Sequence, residues 1–465
     1  MPALPALPAR PVRPLLLNAF DMACVGHVNH GLWTHPRDRS HEYTDLAHWT
    51  RLAQTLERGF FDGLFLADIV GAYDVYQGSL DLTLRESIQL PLIDPLPLVP
   101  AMAAVTQHLG FGITVNLSWE QPYLLARRFS TLDHLSRGRV GWNIVTGYLD
   151  SAARAMGLAE QPEHDSRYDR ADEFLDLSYR LWEGSWDDEA LPRDRAARVY
   201  SRPEAVRSVQ HAGPHYRVDG VHLAEPSPQR TPVLYQAGSS GRGVRFAARH
   251  AECVFISGHS REGARKAVNA LRDEAERAGR RRDDIKVFMG ATVVTEENDA
   301  AAQALLQEYL HYASPEAGLA HFAAGTGIDF SRYGMDEPIA PPGAGNAQQS
   351  AVASIGAGPK PKTRRQMLEE MALGGRYALI VGGPQTVAEQ LIGWAADTGI
   401  DGFNLARTVT PECTESFVRW VVPALQERGA CKTAYAPGTL RDKLFGQGPR
   451  LPARHAAAAF RRTAR

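Results

Sequence analysis

QPYLLARRFSTLDHLSRGRVGWNIVT, residues 121–146, decides the fold. Its first part repeats apolar positions at helical spacing and stops at Gly138, where a C-terminal cap belongs. Its last part, VGWNIVT, is a near-continuous apolar run that ends on a polar residue, Thr146. Such runs suit parallel strands covered on both faces. The unit recurs along the chain. Strand-like runs stand at LLLNAF (15–20), GLFLAD (63–68), GFGITVNL (110–117), VLYQAG (233–238), CVFISG (253–258), KVFMGATVV (286–294) and GFNLAR (402–407). Helical patterns lie between them at TDLAHWTRLAQTLERG (44–59), REGARKAVNALRDEAERAG (261–279) and PQTVAEQLIGWAADTG (384–399). Eight strand–helix alternations in order predict an α/β fold, a single (β/α)8 TIM barrel.

Three stretches exceed a minimal barrel: residues 69–98, 187–231 and 313–382. Loops of that length are functional or disordered, and in a barrel they lie over the C-terminal mouth. The barrel is therefore expected over 15–430, with a C-terminal extension and tail over 431–465. The proline-broken start, residues 1–14, reads as a disordered lead-in rather than a signal peptide. The Arg- and Ala-rich end, PRLPARHAAAAFRRTAR, reads as a frayed, solvated terminus.

Composition narrows the class. The 465 residues are 44% apolar and 22% charged, ordinary for a soluble globular enzyme. A formal net charge of −2 gives no electrostatic case for nucleic acid or an anionic membrane. No run approaches the roughly 18 apolar residues that span a bilayer. Cys24, Cys253, Cys413 and Cys431 form no CxxC pair, which suits reduced thiols in a cytoplasmic protein. The histidines of HVNH, His27 and His30, lack the third ligand and spacing of a zinc site, so no metal is expected. No GxGxxG follows a strand, so no stable NAD(P)H site is expected either.

Polar residues gather at the strand ends. Ser239, Ser240 and Gly241 follow VLYQAG and open a helix, as an anion site or as an ordinary capped start. Asp68 ends GLFLAD, as a ligand group or a turn residue. Thr114 and Asn116 lie two apart and share a side of their strand. Asn143 and Thr146 lie three apart, so both reach one site only where the strand is ending. His164 and Tyr168, four apart, share a helix face or belong to a solvated helix start. His27 follows the first strand, overhanging the mouth or lying in a surface loop.

NAFDMACVGHVNHGLWTHP, LERGFFDGLFLAD, VPAMAAVTQHLGFGITVN, RRFSTLDHLSRGRVGWNIVTGY, EHDSRYDRADEF, YQAGSSGRG and TLRDKLFG together cover residues 18 to 446. This set resembles the bacterial-luciferase-like flavin monooxygenases, in their nitrilotriacetate and dibenzothiophene-sulfone monooxygenase branch. The resemblance implies reduced FMN (FMNH2), molecular oxygen and a separate NAD(P)H:flavin reductase. It implies oxygenation of a small organosulfur or aminocarboxylate substrate, with C–S or C–N cleavage, and a homodimer or tetramer. It assigns Asp68, Thr114, His164, Tyr168, Ser239 and Ser240 to the flavin, and His27 and Asn143 to catalysis. Phe20, Phe65, Trp119 and Trp142 would wall a dry cavity or form plain core. A flavin-binding protein without catalysis and another phosphate-binding barrel enzyme are the rival readings.

Overall fold

The structure is a computed structural model that describes residues 13–461 apart from 239, 259, 341–350, 353–354 and 356–360. Its strands are β1 (Leu16–Met22), β2 (Gly63–Ala67), β3 (Gly110–Asn116), β4 (Val140–Val145), β5 (Ser208–Ala212), β6 (Arg217–Val221), β7 (Val233–Gln236), β8 (Cys253–Ile256), β9 (Lys286–Thr295), β10 (Ala378–Gly382) and β11 (Gly402–Ala406). Eight of them close a parallel ring in the order β1-β2-β3-β4-β7-β8-β9-β11, with β11 returning to β1 at Leu16↔Gly402. This is the TIM barrel predicted above, and each of its strands coincides with one of the eight apolar runs.

The local chemistry explains the units. In the helix Leu46–Arg58, Trp49, Ala53 and Leu56 are buried on one face, and the Asp45 carboxylate accepts the Ala47 N–H at 2.9 Å. The helix Pro122–Leu135 stops three residues before the expected Gly138, with Ser136 at its C-cap; Arg137 and Gly138 follow with φ of +55° and +79°, and glycine adopts that left-handed conformation without strain. All seven residues of β3 are buried, as a strand covered on both faces requires.

Two features went unread in the sequence. The stretch 187–231 carries an antiparallel hairpin, β5–β6. The stretch 313–382 ends in β10, which pairs in parallel with β9 at Ala378↔Ala291 through Gly382↔Thr295. Strand β8 pairs only with the first half of β9, to Ile256↔Met289, so β10 occupies the second half and raises the wall there.

The end of the chain corrects an expectation. Residues 449–461 are not frayed: Leu451, His455 and Ala457 are buried, and Arg450, Arg454 and Arg461 pair with Glu183 and Asp284. The lead-in residues 1–12 and the last four residues lie outside the described ones, as do parts of the Gly/Pro-rich stretch in 313–382.

Candidate functional site

A cavity of about 550 Å³ opens at the C-terminal ends of the strands, within the size range of small-molecule sites. Six of the eight barrel strands contribute, all but β9 and β11. Strand β2 delivers Asp68, β3 delivers Thr114 and Asn116, β4 delivers Asn143 and Thr146, and β7 delivers Gln236. The helix His164–Tyr179 adds His164, Arg167 and Tyr168. Strand β4 stops at Val145, which is why Asn143 and Thr146 both reach the cavity despite their spacing.

One end of the cavity has the chemistry that suits an anion. Ser240 caps the helix Gly241–His250, its Oγ accepting the Gly243 N–H at 3.0 Å. The capped-start reading is therefore realised, and the same helix start faces the cavity. The Tyr168 phenol lies beside it; burial raises its pKa, and a hydrogen bond with Ser240 pulls the other way. A Cβ on Gly238 would lie 2.7 Å from the Tyr168 hydroxyl, and one on Gly243 would lie 2.8 Å from it. Both glycines thus keep open the space around that hydroxyl. The His164 and Tyr168 rings lie 5.3 Å apart on the shared helix face, and His164 Nδ1 contacts Asp165 at 2.7 Å. Ser239 lies outside the described residues.

Unmet polar atoms line the middle. Asn143 donates through Nδ2 to Thr114 Oγ1 at 2.9 Å, while its Oδ1 is buried without a hydrogen-bond partner among the described residues. Gln236 Oε1 is in the same state. Buried polar atoms are nearly always paired, so two orphans on one wall mark where a ligand bonds. Burial and the neighbouring Asp94 carboxylate push the Asp68 pKa up to about 7, against the lowering effect of the Ile69 N–H.

Aromatic rings form the rest. Phe20, Phe65, Phe255 and Tyr377 line the cavity and touch one another, with centroids 5.0 Å apart for Phe20–Phe255 and 5.7 Å for Phe255–Tyr377. Of the four expected wall residues, Phe20 and Phe65 are there. Trp142 is not: it faces the helix layer and packs on Phe129 and Phe174. Trp119 packs in a separate apolar cluster.

His27 is neither overhanging nor on the surface. It is buried, and its ring meets Phe20 edge-on at 4.6 Å, one aromatic ring behind the cavity wall. Burial drives its pKa well down, so the imidazole is neutral, and its Nδ1 has no partner among the described residues. His30 bonds His321 at 3.0 Å and His35 bonds Glu308 at 3.0 Å, so the three histidines serve different neighbours. The four cysteines are free thiols with raised pKa values, three of them buried.

Sequence reasoning missed Arg167, Gln236, Arg376 and Tyr377. Arg167 sits on the same helix as His164, three residues on, and Gln236 is a polar residue ending an apolar run; both signals were legible. Arg376 and Tyr377 arrive from the turn before β10, and no local pattern announces them.

The donor set fits FMN. A capped helix start with Ser240, Tyr168, His164 and Arg167 suits its phosphate. Asn143, Thr114, Gln236 and Asp68 offer acceptors and donors to its polar edge and side chain, and the aromatic wall suits its flat ring system.

Comparison with known proteins agrees. The family described as luciferase-like monooxygenase matches residues 28–402. The dimethyl-sulfide monooxygenase of Hyphomicrobium sulfonivorans is 48% identical over 96% of this chain and 94% of its own length. The long-chain alkane monooxygenase of Geobacillus thermodenitrificans (strain NG80-2) is 47% identical over 96% and 97%. The crystal structure of a riboflavin lyase with modified FMN and riboflavin superposes with a TM-score of 0.91 at 36% identity, covering 97% of this chain and 100% of that one. The two activities that define the expected branch, dibenzothiophene-sulfone and nitrilotriacetate monooxygenase, match at 38% and 33% identity. Among the described residues no helix is long and apolar enough to cross a membrane.

Proposed function

Because the chain belongs to the luciferase-like monooxygenases, which use reduced flavin, we propose that it is the oxygenase half of a two-component system. A separate NAD(P)H:flavin reductase supplies FMNH2, and the substrate is a small organosulfur compound or aminocarboxylate cleaved at C–S or C–N. The observation that carries the reading is the pair of buried orphan acceptors, Asn143 Oδ1 and Gln236 Oε1, on the wall that runs to the Ser240 helix start.

Bound reduced FMN supplies the electrons with which one atom of dioxygen enters the substrate and the other leaves as water. The chain does the rest. Ser240, Tyr168, His164 and Arg167 hold the phosphate and fix the register. Asn143 and Thr114, already bonded to each other, orient the polar edge. The Phe20, Phe65 and Phe255 rings keep water from the reacting face. Asp68, poised near neutrality, holds or releases a proton at its carboxyl. The neutral His27 packs edge-on against Phe20 from behind the cavity wall. A reductase partner that spends NAD(P)H places the work in the cytoplasm, and a homodimer or tetramer is part of the same reading.

The test is isotopic. The chain, FMN, NADH and a purified flavin reductase are incubated under 18O2 with thioethers, sulfones and aminocarboxylates. One labelled oxygen is expected in an oxygenated product, and only with the reductase present. NADH oxidation by the chain alone, or no label in any product, overturns the proposal.

A further inference from the structure

Two helices carry the anion end of the cavity. The helix His164–Tyr179 supplies His164 and Tyr168, and the helix Gly241–His250 is capped by Ser240. Tyr168, Asp172 and Tyr179 lie on one face of the first. Arg242, Phe246 and His250, four apart, lie on one face of the second. The two faces meet. The Tyr168 and Phe246 rings stand 5.3 Å apart, and the Tyr179 hydroxyl bonds His250 Nδ1 at 3.0 Å. Between these aromatic contacts sits a carboxylate, Asp172.

Asp172 holds the second helix near both of its ends. Its Oδ1 accepts from His250 Nε2 at 2.7 Å, and its Oδ2 accepts from Arg242 Nη2 at 2.5 Å. Burial favours the neutral form of His250, so its one N–H is spent on Asp172 and its Nδ1 accepts from Tyr179. Burial alone would raise the Asp172 pKa; the bonds from His250 and Arg242 outweigh it and bring the value down to about 2. Asp172 is therefore a fixed negative charge at neutral pH. A carboxylate shared by two partners in an otherwise aromatic seam specifies one register of the two helices.

Arg242 is an unusual residue for its place. It is the second residue of its helix, whose first turn has no acidic residue, and a cation there opposes the helix dipole. Asp172, with the exposed Asp169 at 3.0 Å, offsets that opposition. The two carboxylates lay the guanidinium over the Tyr168 ring, 5.5 Å from its centre. Tyr168 thus has Arg242 over its face and Phe246 against it, and its hydroxyl lies at the Ser240 cap. Neither Asp172 nor Arg242 lines the cavity, so both act through Tyr168 and the helix start.

We propose that Asp172 is a positioning residue for the flavin phosphate: it fixes Arg242 on Tyr168, and through them it sets the Tyr168 hydroxyl and the Ser240 helix start in the register that the phosphate group meets. The inference rests on the reading of this end of the cavity as the phosphate site and adds to it the pair that holds it.

Anaerobic titration of the full chain with reduced FMN and with reduced riboflavin tests it, since only the first carries the phosphate. Wild type is expected to prefer FMN. Asp172→Ala should weaken FMN about tenfold and leave riboflavin within about twofold, the scale of a displaced charge-assisted hydrogen bond. Asp172→Asn keeps an acceptor of the same shape, so it should lose only about threefold for FMN, and it carries the test where the alanine variant does not fold. Arg242→Ala should lose the preference to the same extent as Asp172→Ala, and adding Asp172→Ala to it should cost nothing further. The inference is overturned if the Asp172 variants keep the wild-type preference, if FMN and riboflavin weaken together, or if Asp172→Ala costs as much in the Arg242→Ala background as alone. Equal affinity of wild type for the two flavins would instead overturn the phosphate reading beneath it, and this inference with it.

Discussion

At the bottom of the barrel Arg441 is buried and every arm of its guanidinium is used. Two arms grip the Glu252 carboxylate at 2.6 and 2.8 Å, and others reach the carbonyls of Thr231, Pro232 and Pro449. Its backbone N–H meets the Gln229 side chain, which in turn bonds Asp133 and the Val140 carbonyl at the start of β4. At the mouth the opposite holds: Asn143 Oδ1 and Gln236 Oε1 on the cavity wall, and His27 Nδ1 one ring behind it, are as buried and have no partner among the described residues. The bonding of Arg441 is thus full while these atoms of the mouth are unmet, although Arg280 Nε and Arg450 Nε beside Arg441 are also without a partner among the described residues; the contrast between the two groups suggests a clamp and a binding site, the division expected of barrels whose C-terminal face carries function.

The largest test of that division is Arg441→Met. Removing one partner of a buried pair leaves Glu252 uncompensated and should cost about 3–5 kcal/mol of stability. Chemical denaturation reads the loss, and whatever protein remains folded should bind FMN as wild type does. A stable Arg441→Met protein with impaired flavin binding would reverse the roles of the poles.

His27→Ala should act at the mouth alone. FMN affinity stays within a few-fold, while oxygenated product per oxygen consumed falls at least about tenfold, the low end of positioning or acid–base help. Hydrogen peroxide release makes up the difference. Unchanged coupling would reduce His27 to packing behind Phe20.

Asp68 gives the smallest effect and a defined pH window. Its carboxyl is protonated up to about pH 7 in the folded chain, against a usual value of 3.8. The folded state therefore holds an extra proton between those values, and the chain loses stability as pH rises from about 4 through 7. Asp68→Asn removes that loss. Its stability should match wild type near pH 4 and exceed it by roughly 1–2 kcal/mol above pH 8, less than the full shift implies because the group is only partly buried. A gap that is constant with pH contradicts the assignment.

The sequence made the barrel legible because each strand is apolar on both faces and each helix stops at a recognisable end. VGWNIVT could be read as strand and site at once, since Asn143 interrupts an apolar run that nothing else explains. Arg167 and Gln236 escaped despite legible local signals, whereas Arg441 escaped because its partners are distant in the chain. Arg441 lies in TLRDKLFG, which looks like an ordinary surface helix until Glu252, 189 positions away, meets it. The hairpin β5–β6 escaped because its exposed, mixed composition carries little apolar signal. Strand β10 is short and enclosed by glycines, so ALIVG passed for part of a loop. Trp142 misled because a strand residue in a barrel points either inward or to the helix layer, and local sequence does not say which.

The claim that the unmet groups of the mouth belong to a flavin phosphate site and its neighbouring wall is tested most directly by anaerobic titration. Reduced FMN and reduced riboflavin are each titrated into wild type and Ser240→Ala. The account predicts one reduced FMN per chain, bound more tightly than reduced riboflavin, with Ser240→Ala narrowing that gap by about 1–2 kcal/mol and leaving riboflavin unchanged. Equal affinity for the two flavins in wild type, or an equal loss for both in Ser240→Ala, would contradict it.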